Sequence, residues 1–117
     1  AYLKVREQFG APIGSFQGLQ HRASMMFCEV EMSKSVVLEA LSALDDQEDT
    51  AELASLAKTR LNDTFNLVSA EGVQMHGGIG MTDEYEIGFF IKRCRVTENA
   101  FGNSSFHRDR YATIQGF

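Results

Sequence analysis

The 117-residue sequence predicts an all-α fold, an up-and-down four-helix bundle with a short extra C-terminal helix. Three observations carry this. Phe16, Leu19, Ala23, Met26, Val30, Val37, Leu41 and Leu44 recur at intervals of three, four or seven, the spacing of one apolar seam along a long helix. Leu53, Leu56, Leu61, Phe65, Val68 and Gly72 form a second seam after a short acidic stretch. No segment alternates as a strand does, none repeats another, and none is of low complexity. Helices joined by short connections pack as an antiparallel bundle.

Taken in order, Ala1 to Phe9 reads as the last turns of a helix. Gly10-Ala11-Pro12-Ile13-Gly14 ends it, with a C-cap glycine and then the only proline of the chain. Ser15 offers an N-cap to the second helix. Asp45, Asp46, Glu48 and Asp49 form an acidic loop, and Asp49 with Glu52 resembles a capping box. The third helix runs to about Met75. Thr82 can cap a fourth, with Asp83 and Glu84 in its anion-favouring first turn and Ile87, Phe90, Ile91 and Cys94 along its seam. That helix ends before Gly102, and Asn103 caps a last segment reaching about Gln115.

Composition narrows the function. Apolar residues make up 44% of the chain, which suits a packed core. A net charge of −5 argues against nucleic acid or an anionic membrane as partner. No apolar run approaches the roughly 18 residues of a membrane span. Cys28 and Cys94 are isolated within helical patterns and read as two buried thiols in a reducing, cytoplasmic setting, or the mitochondrial matrix in a eukaryote. The opening residues are helical with no cap before them, the expectation for a piece of a longer chain.

The stretch with chemical potential is His76-Gly77-Gly78-Ile79-Gly80-Met81-Thr82. Three glycines in four positions cannot continue a helix cheaply, each costing about 1 kcal/mol against alanine. They suit either a helix C-cap with a tight turn or a backbone nest for an anionic group such as phosphate. Other constellations are incomplete. The residues three before His21, His76 and His107 are Gly18, Val73 and Ser104, so no Glu-x-x-His pair exists for a di-iron bundle site. Two distant cysteines without paired histidines do not make a zinc site. Gly78-Ile79-Gly80 follows a helix rather than a strand and has Asp83 where a dinucleotide fingerprint needs its third glycine. Ser104, Ser105 and His107 fit helix capping better than a nucleophilic triad.

Three stretches together resemble the C-terminal helical domain of the acyl-CoA dehydrogenase family. They are Val5-Arg6-Glu7-Gln8-Phe9-Gly10-Ala11-Pro12-Ile13-Gly14, Phe16-Gln17-Gly18-Leu19-Gln20-His21, and Gln74-Met75-His76-Gly77-Gly78-Ile79-Gly80. The resemblance covers residues 1–117 as one domain, about the last third of a full enzyme whose N-terminal helical and middle β domains are absent here. It implies an FAD-dependent oxidation of an acyl-CoA to the 2,3-enoyl-CoA, an electron-transferring flavoprotein as acceptor, and a tetramer. By this resemblance Arg6 lies near the FAD pyrophosphate, Phe9 beside it, and Gln17 makes a second cofactor contact. Gln74, Met75, His76, Gly77 and Gly78 then meet the FAD of a neighbouring subunit.

The resemblance leaves the catalytic base open. The family's usual glutamate precedes a Gly-Thr-Ser segment, and aligning Gly102-Asn103-Ser104 with that segment puts Phe101 in its place. Glu98, one turn earlier, is a weak candidate and fits a solvated helix-end acid better. A minority of the family carries its base just before the position of Ala1. The run Lys92-Arg93-Cys94-Arg95 also departs from the family's arginine–aspartate pair. Met81 to Gly88 and Phe101 to Ala112 are similar to small subunits of pimeloyl-CoA-type dehydrogenases, whose heteromeric relatives split base and cofactor site between chains. Three readings follow: a dehydrogenase with its base elsewhere, a base-less partner subunit, or a helical interaction domain without FAD. Apolar residues on the second and third helices should exceed what one bundle can bury.

Overall fold

Helices form wherever the apolar seams run. The computed structural model describes residues 1–47 and 49–117, and contains α1 (Tyr2–Val5), α2 (Gln17–Asp45), α3 (Ala51–His76), α4 (Ile87–Asn99) and α5 (Ser104–Gln115). Glu48 of the acidic loop lies outside the described residues. The all-α expectation holds, and α3 is the spine: α2, α4 and α5 each pack along it. The assembly is long, with extents of 55 × 27 × 24 Å. Its radius of gyration is 17.3 Å, against about 13 Å for a compact chain of this length.

The N-terminal segment corrects two expectations. α1 stops at Val5, with Arg6 already extended, and a small antiparallel hairpin follows. β1 (Glu7–Gln8) pairs with β2 (Ala11–Pro12), Gln8 opposite Ala11. Phe9 and Gly10 are therefore a two-residue hairpin loop rather than a helix end. Their φ values of 54° and 78° are both positive, as a type I′ turn requires. Holding a phenylalanine there costs about 1–2 kcal/mol, and its side chain is 95% exposed. Ser15 does not cap α2. Its Oγ donates to the Pro12 carbonyl at 2.7 Å inside a 3-10 turn over Ile13–Ser15, so α2 begins after Phe16 without a side-chain cap.

Two other starts differ. Asp49 and Glu52 do not close a capping box; Asp49 Oδ1 accepts from the Ala51 N–H at 3.0 Å, while Thr50 occupies the cap position. Thr82 does not cap α4, which starts at Ile87 with no acid in its first turn. Thr82 Oγ1 instead donates to the Ile79 carbonyl at 2.8 Å. The Tyr85 ring packs against Tyr2 and His76, holding residues 82–86 out of the helix. Asn103 does cap α5, its Oδ1 accepting from the Phe106 N–H at 2.9 Å. Asn103→Ala is expected to cost about 1 kcal/mol, read as a shifted denaturation midpoint with an unchanged slope.

The helix contacts use small residues. The buried positions of α2 and α3 are Ser33, Ala43, Ser55, Ala57, Asn62, Thr64, Ser69 and Met75. Ser33 Oγ and Thr64 Oγ1 meet at 2.8 Å across the two helices, satisfying both hydroxyls. Small residues let the backbones approach, which pushes larger apolar groups to the flanks. Leu41 and Leu44, expected on the seam, are 51% and 60% exposed. Gly72 serves the same end between α3 and α4, because a Cβ there would lie 2.7 Å from Ile87 Cδ1. Of the two cysteines only Cys94 is buried; Cys28 is exposed, correcting that half of the expectation.

As expected, α2 and α3 carry more apolar surface than the bundle covers. Met25, Phe27 and Leu38 of α2 and Leu61 of α3 all stand in solvent. An open groove of about 710 Å³ runs between the helices, lined by Val30, Val37, Leu38, Leu61, Phe65 and Val68 among others. The accessible surface is 8064 Å², where a compact chain of this mass would expose about 6,300 Å².

Candidate cofactor-facing site

α3 ends at His76 because Gly77 adopts φ 66°, ψ −148°, a region almost closed to residues with a Cβ. The Gly77 N–H closes the helix on the Gln74 carbonyl, and Gly77–Met81 continue as a 3-10 turn. The three glycines do different things. A Cβ on Gly80 would lie 2.8 Å from both the Val73 carbonyl oxygen and His76 Cβ, so Gly80 lets the turn fold back on α3. Gly77 and Gly78 face open space, and a ligand can approach their backbone directly. The turn is a helix C-cap whose outer side remains bare.

His76 is fixed from several sides. Its Nδ1 lies 2.7 Å from the Gly72 carbonyl, which can only accept, so Nδ1 carries a proton and Nε2 is the ring nitrogen left available. Tyr2 stacks on the imidazole at 4.0 Å and donates its hydroxyl to the His76 carbonyl at 3.4 Å. Tyr85 closes the cluster edge-on at 5.6 Å from each ring. Tyr2 thus joins α1 to the end of α3 across 74 positions of sequence, a contact no helical periodicity could reveal. Of the remaining expected site residues here, Gln74 is exposed and Met75 buried, so Met75 anchors the turn and offers only backbone outward.

Arg6, Phe9 and Gln17 form a second group, on and beside the hairpin. The Arg6 backbone is held on both sides, its N–H on the Tyr2 carbonyl at 3.0 Å and its carbonyl on the Ile13 N–H at 2.8 Å. Its exposed guanidinium makes no hydrogen bond or ion pair among the described residues. Phe9 stands at the hairpin tip with Phe16 edge-on at 6.1 Å. Gln17 is exposed at the first position of α2. Close packing sets the hairpin, since a Cβ on Gly14 would lie 2.6 Å from the Leu3 carbonyl oxygen. No hydrogen bond, ion pair or ring contact among the described residues links this group to residues 74–78.

The position of the missing carboxylate lies at a third place, the turn between α4 and α5. Phe101 has φ 61° and a side chain 94% exposed. Glu98 carries its carboxylate in an ion pair with Arg95 at 3.2 Å, and is half-buried rather than solvated. The Lys92–Arg95 run finds its own partners: Arg95 takes Glu98, Lys92 lies 5.7 Å above the Phe89 ring, and Cys94 is buried. Ser104 Oγ donates to Asp63 at 2.9 Å, and His107 Nε2 lies 2.9 Å from the Phe101 carbonyl. No serine–histidine bond exists there.

Comparison with known proteins agrees with the helical fold. Residues 1–114 match the family model described as acyl-CoA dehydrogenase, C-terminal domain. Acyl-CoA dehydrogenase IpdE2 of Mycolicibacterium smegmatis is 35% identical over 102 residues, 87% of this chain and 31% of the relative. The caffeyl-CoA reductase-Etf complex subunit CarC of Acetobacterium woodii is 35% identical over 95 residues, 81% of this chain and 25% of that one. The crystal structure of an acyl-CoA dehydrogenase from Geobacillus kaustophilus superimposes with a TM-score of 0.95 at 26% identity, covering 99% of this chain and 30% of that one. The chain therefore spans between 25% and 31% of the length of these proteins.

Proposed function

The chain belongs to the acyl-CoA dehydrogenase family, as its C-terminal domain, and we propose that it supplies FAD contacts and a subunit interface to an enzyme that oxidises an acyl-CoA thioester to the 2,3-enoyl-CoA. The observation that carries the cofactor reading is a pair of surfaces built for an anionic, planar ligand. Arg6 offers a guanidinium unpaired among the described residues on a fixed backbone, and Phe9 an exposed ring at the hairpin tip. The outer backbone of Gly77 and Gly78 is bare where a Cβ would otherwise stand.

Guanidinium is the natural bidentate partner of a pyrophosphate. Arg6 would hold that group, with Phe9 and Gln17 flanking it. Gln74, the Met75 backbone, His76 Nε2 and the Gly77–Gly78 backbone would meet FAD of an adjoining subunit. When bound, FAD provides the acceptor for the hydride leaving the β carbon. The chain's own residues orient and shield. The Tyr2–His76–Tyr85 stack keeps the glycine turn in one place, so its polar groups meet the cofactor without reorganising.

The interface reading rests on surface. The whole chain exposes about 1,700 Å² more area than a compact chain of this mass would show, and the exposed α2 and α3 side chains and the open groove contribute to it. That is on the scale of a stable protein interface. Copies of this chain, or of a homologous one, would cover it in a homo- or heterotetramer. An electron-transferring flavoprotein is the proposed electron acceptor, in keeping with the name of the CarC relative.

Phe101 favours a second reading, a base-less partner subunit of a heteromeric dehydrogenase. Phenylalanine takes no proton, and Glu98 is committed to Arg95. The experiment is to purify the whole protein alone and with a second dehydrogenase chain, then follow bleaching of the flavin band by acyl-CoAs. Bleaching by the lone chain places a base outside position 101. Bleaching only in the mixture assigns this chain the partner role. Bound flavin that never bleaches removes the acyl-CoA reading, and absence of flavin leaves a helical interaction domain.

A further inference from the structure

The α4–α5 turn is held with more care than a connection needs. Lys58 Nζ of α3 donates to the Thr97 carbonyl at 2.7 Å, and Asn62 Nδ2 to the Glu98 carbonyl at 3.4 Å, so α3 fixes the end of α4. On the other side Asn103 caps α5. Between them Phe101 adopts φ 61° and Gly102 φ 104°, the first of which is an outlier for a bulky side chain. Such strain persists only where surrounding contacts enforce it.

The enforcing contact is His107. Its ring is buried, with 6% of the residue exposed, and Nε2 lies 2.9 Å from the Phe101 carbonyl oxygen. A carbonyl can only accept, so Nε2 carries the proton and donates. Nδ1 is buried without a hydrogen-bond partner among the described residues, so the bond to Phe101 is the one hydrogen bond of the imidazole there. Gly102 makes room for it: a Cβ there would lie 2.9 Å from His107 Nε2 and 2.6 Å from Phe106 Cδ1. The result is a ring at position 101 standing 94% exposed on a fixed backbone.

We propose that His107 is a positioning residue: by donating Nε2–H to the Phe101 carbonyl it holds residue 101 left-handed and fixes where its side chain is presented to the acyl group. The placement of residue 101 beside the acyl group rests on the function proposed above; the latch itself does not. With phenylalanine at the tip, the latch presents an apolar wall rather than a proton acceptor. The same turn would aim a carboxylate equally well, which makes position 101 a choice of side chain on a preserved support.

The test uses the whole flavoprotein and two readouts. Amide hydrogen exchange of the 99–107 segment reports the latch, and spectral titration of the flavin with butyryl-CoA and octanoyl-CoA reports the site. His107→Ala is expected to raise exchange about fivefold and weaken ester binding about fivefold, the loss of one neutral hydrogen bond. His107→Gln, whose amide can donate to the same carbonyl, is expected to restore both to within about twofold. Phe101→Ala is expected to weaken ester binding while leaving exchange within about twofold. Exchange unchanged in His107→Ala overturns the latch, and so does His107→Gln failing to rescue, since the imidazole would then only fill space. Exchange that responds while neither His107→Ala nor Phe101→Ala alters ester binding overturns the acyl-facing placement alone. A wild-type flavin that responds to neither ester overturns that placement together with the function beneath it.

Discussion

Arg6→Glu in the whole protein is expected to weaken FAD binding about a hundredfold, enough to lose flavin during gel filtration. One charge-assisted hydrogen bond to an anion is worth about 1.5–3 kcal/mol, and reversing the charge adds repulsion where attraction stood. A hundredfold corresponds to about 2.7 kcal/mol. Two structural facts keep the effect local. The Arg6 backbone is tied to Tyr2 and Ile13, and its side chain has no partner among the described residues to lose. Stability without flavin should therefore match the wild type, and Arg6→Gln should fall between the two. Full flavin occupancy in purified Arg6→Glu would remove Arg6 from the cofactor site.

Gly80→Ala is expected to cost about 2–3 kcal/mol, near the top of the range for overpacking. The new Cβ would sit 2.8 Å from the Val73 carbonyl oxygen and 2.8 Å from His76 Cβ, neither of which can rotate away. Either the turn lifts from α3 or the last turn of α3 unwinds. Both displace His76, whose ring is shared with Tyr2 and Tyr85. Reduced thermal stability and reduced flavin content should therefore appear together. Gly78→Ala is the control for stability alone, because nothing lies within 4 Å of its would-be Cβ and its φ is not positive. Equal melting of the Gly80→Ala and wild-type proteins would show that Gly80 is not packed against Val73 and His76.

The fold was legible because its signal is local. Apolar seams and a glycine turn mark α2, α3 and the end of α3, and Asn103 marks the start of α5, each within a few residues of its observed bound. What the sequence hid was set by contacts between distant segments. Residues 82–86 read as a helix start because Thr82, Asp83 and Glu84 suit one, yet Tyr85 is drawn to Tyr2 and His76. Leu41 and Leu44 read as seam because they are large and apolar, while the close approach of α2 and α3 favours Ser33 and Ala43. The hairpin escaped because two-residue strands are too short to alternate and Phe9 is a poor residue for a type I′ loop. Of the candidate site, the residues came from family motifs; their support came from elsewhere. Tyr2, Tyr85 and His107 carry no pattern of their own, and only the folded chain shows what they hold.

Phe9 and Phe101 share an unusual state: each is left-handed at a position where glycine would be at ease, and each stands almost wholly in water. Both features raise the free energy of the uncovered domain, by backbone strain and by hydration of an aromatic ring. A ligand or neighbouring chain that covers either ring recovers the hydration part, and meets a side chain whose backbone freedom is already spent. By linkage, anything that binds the folded state alone raises its apparent stability with concentration. The domain's melting temperature thus becomes a readout of assembly, rising with free flavin and with protein concentration.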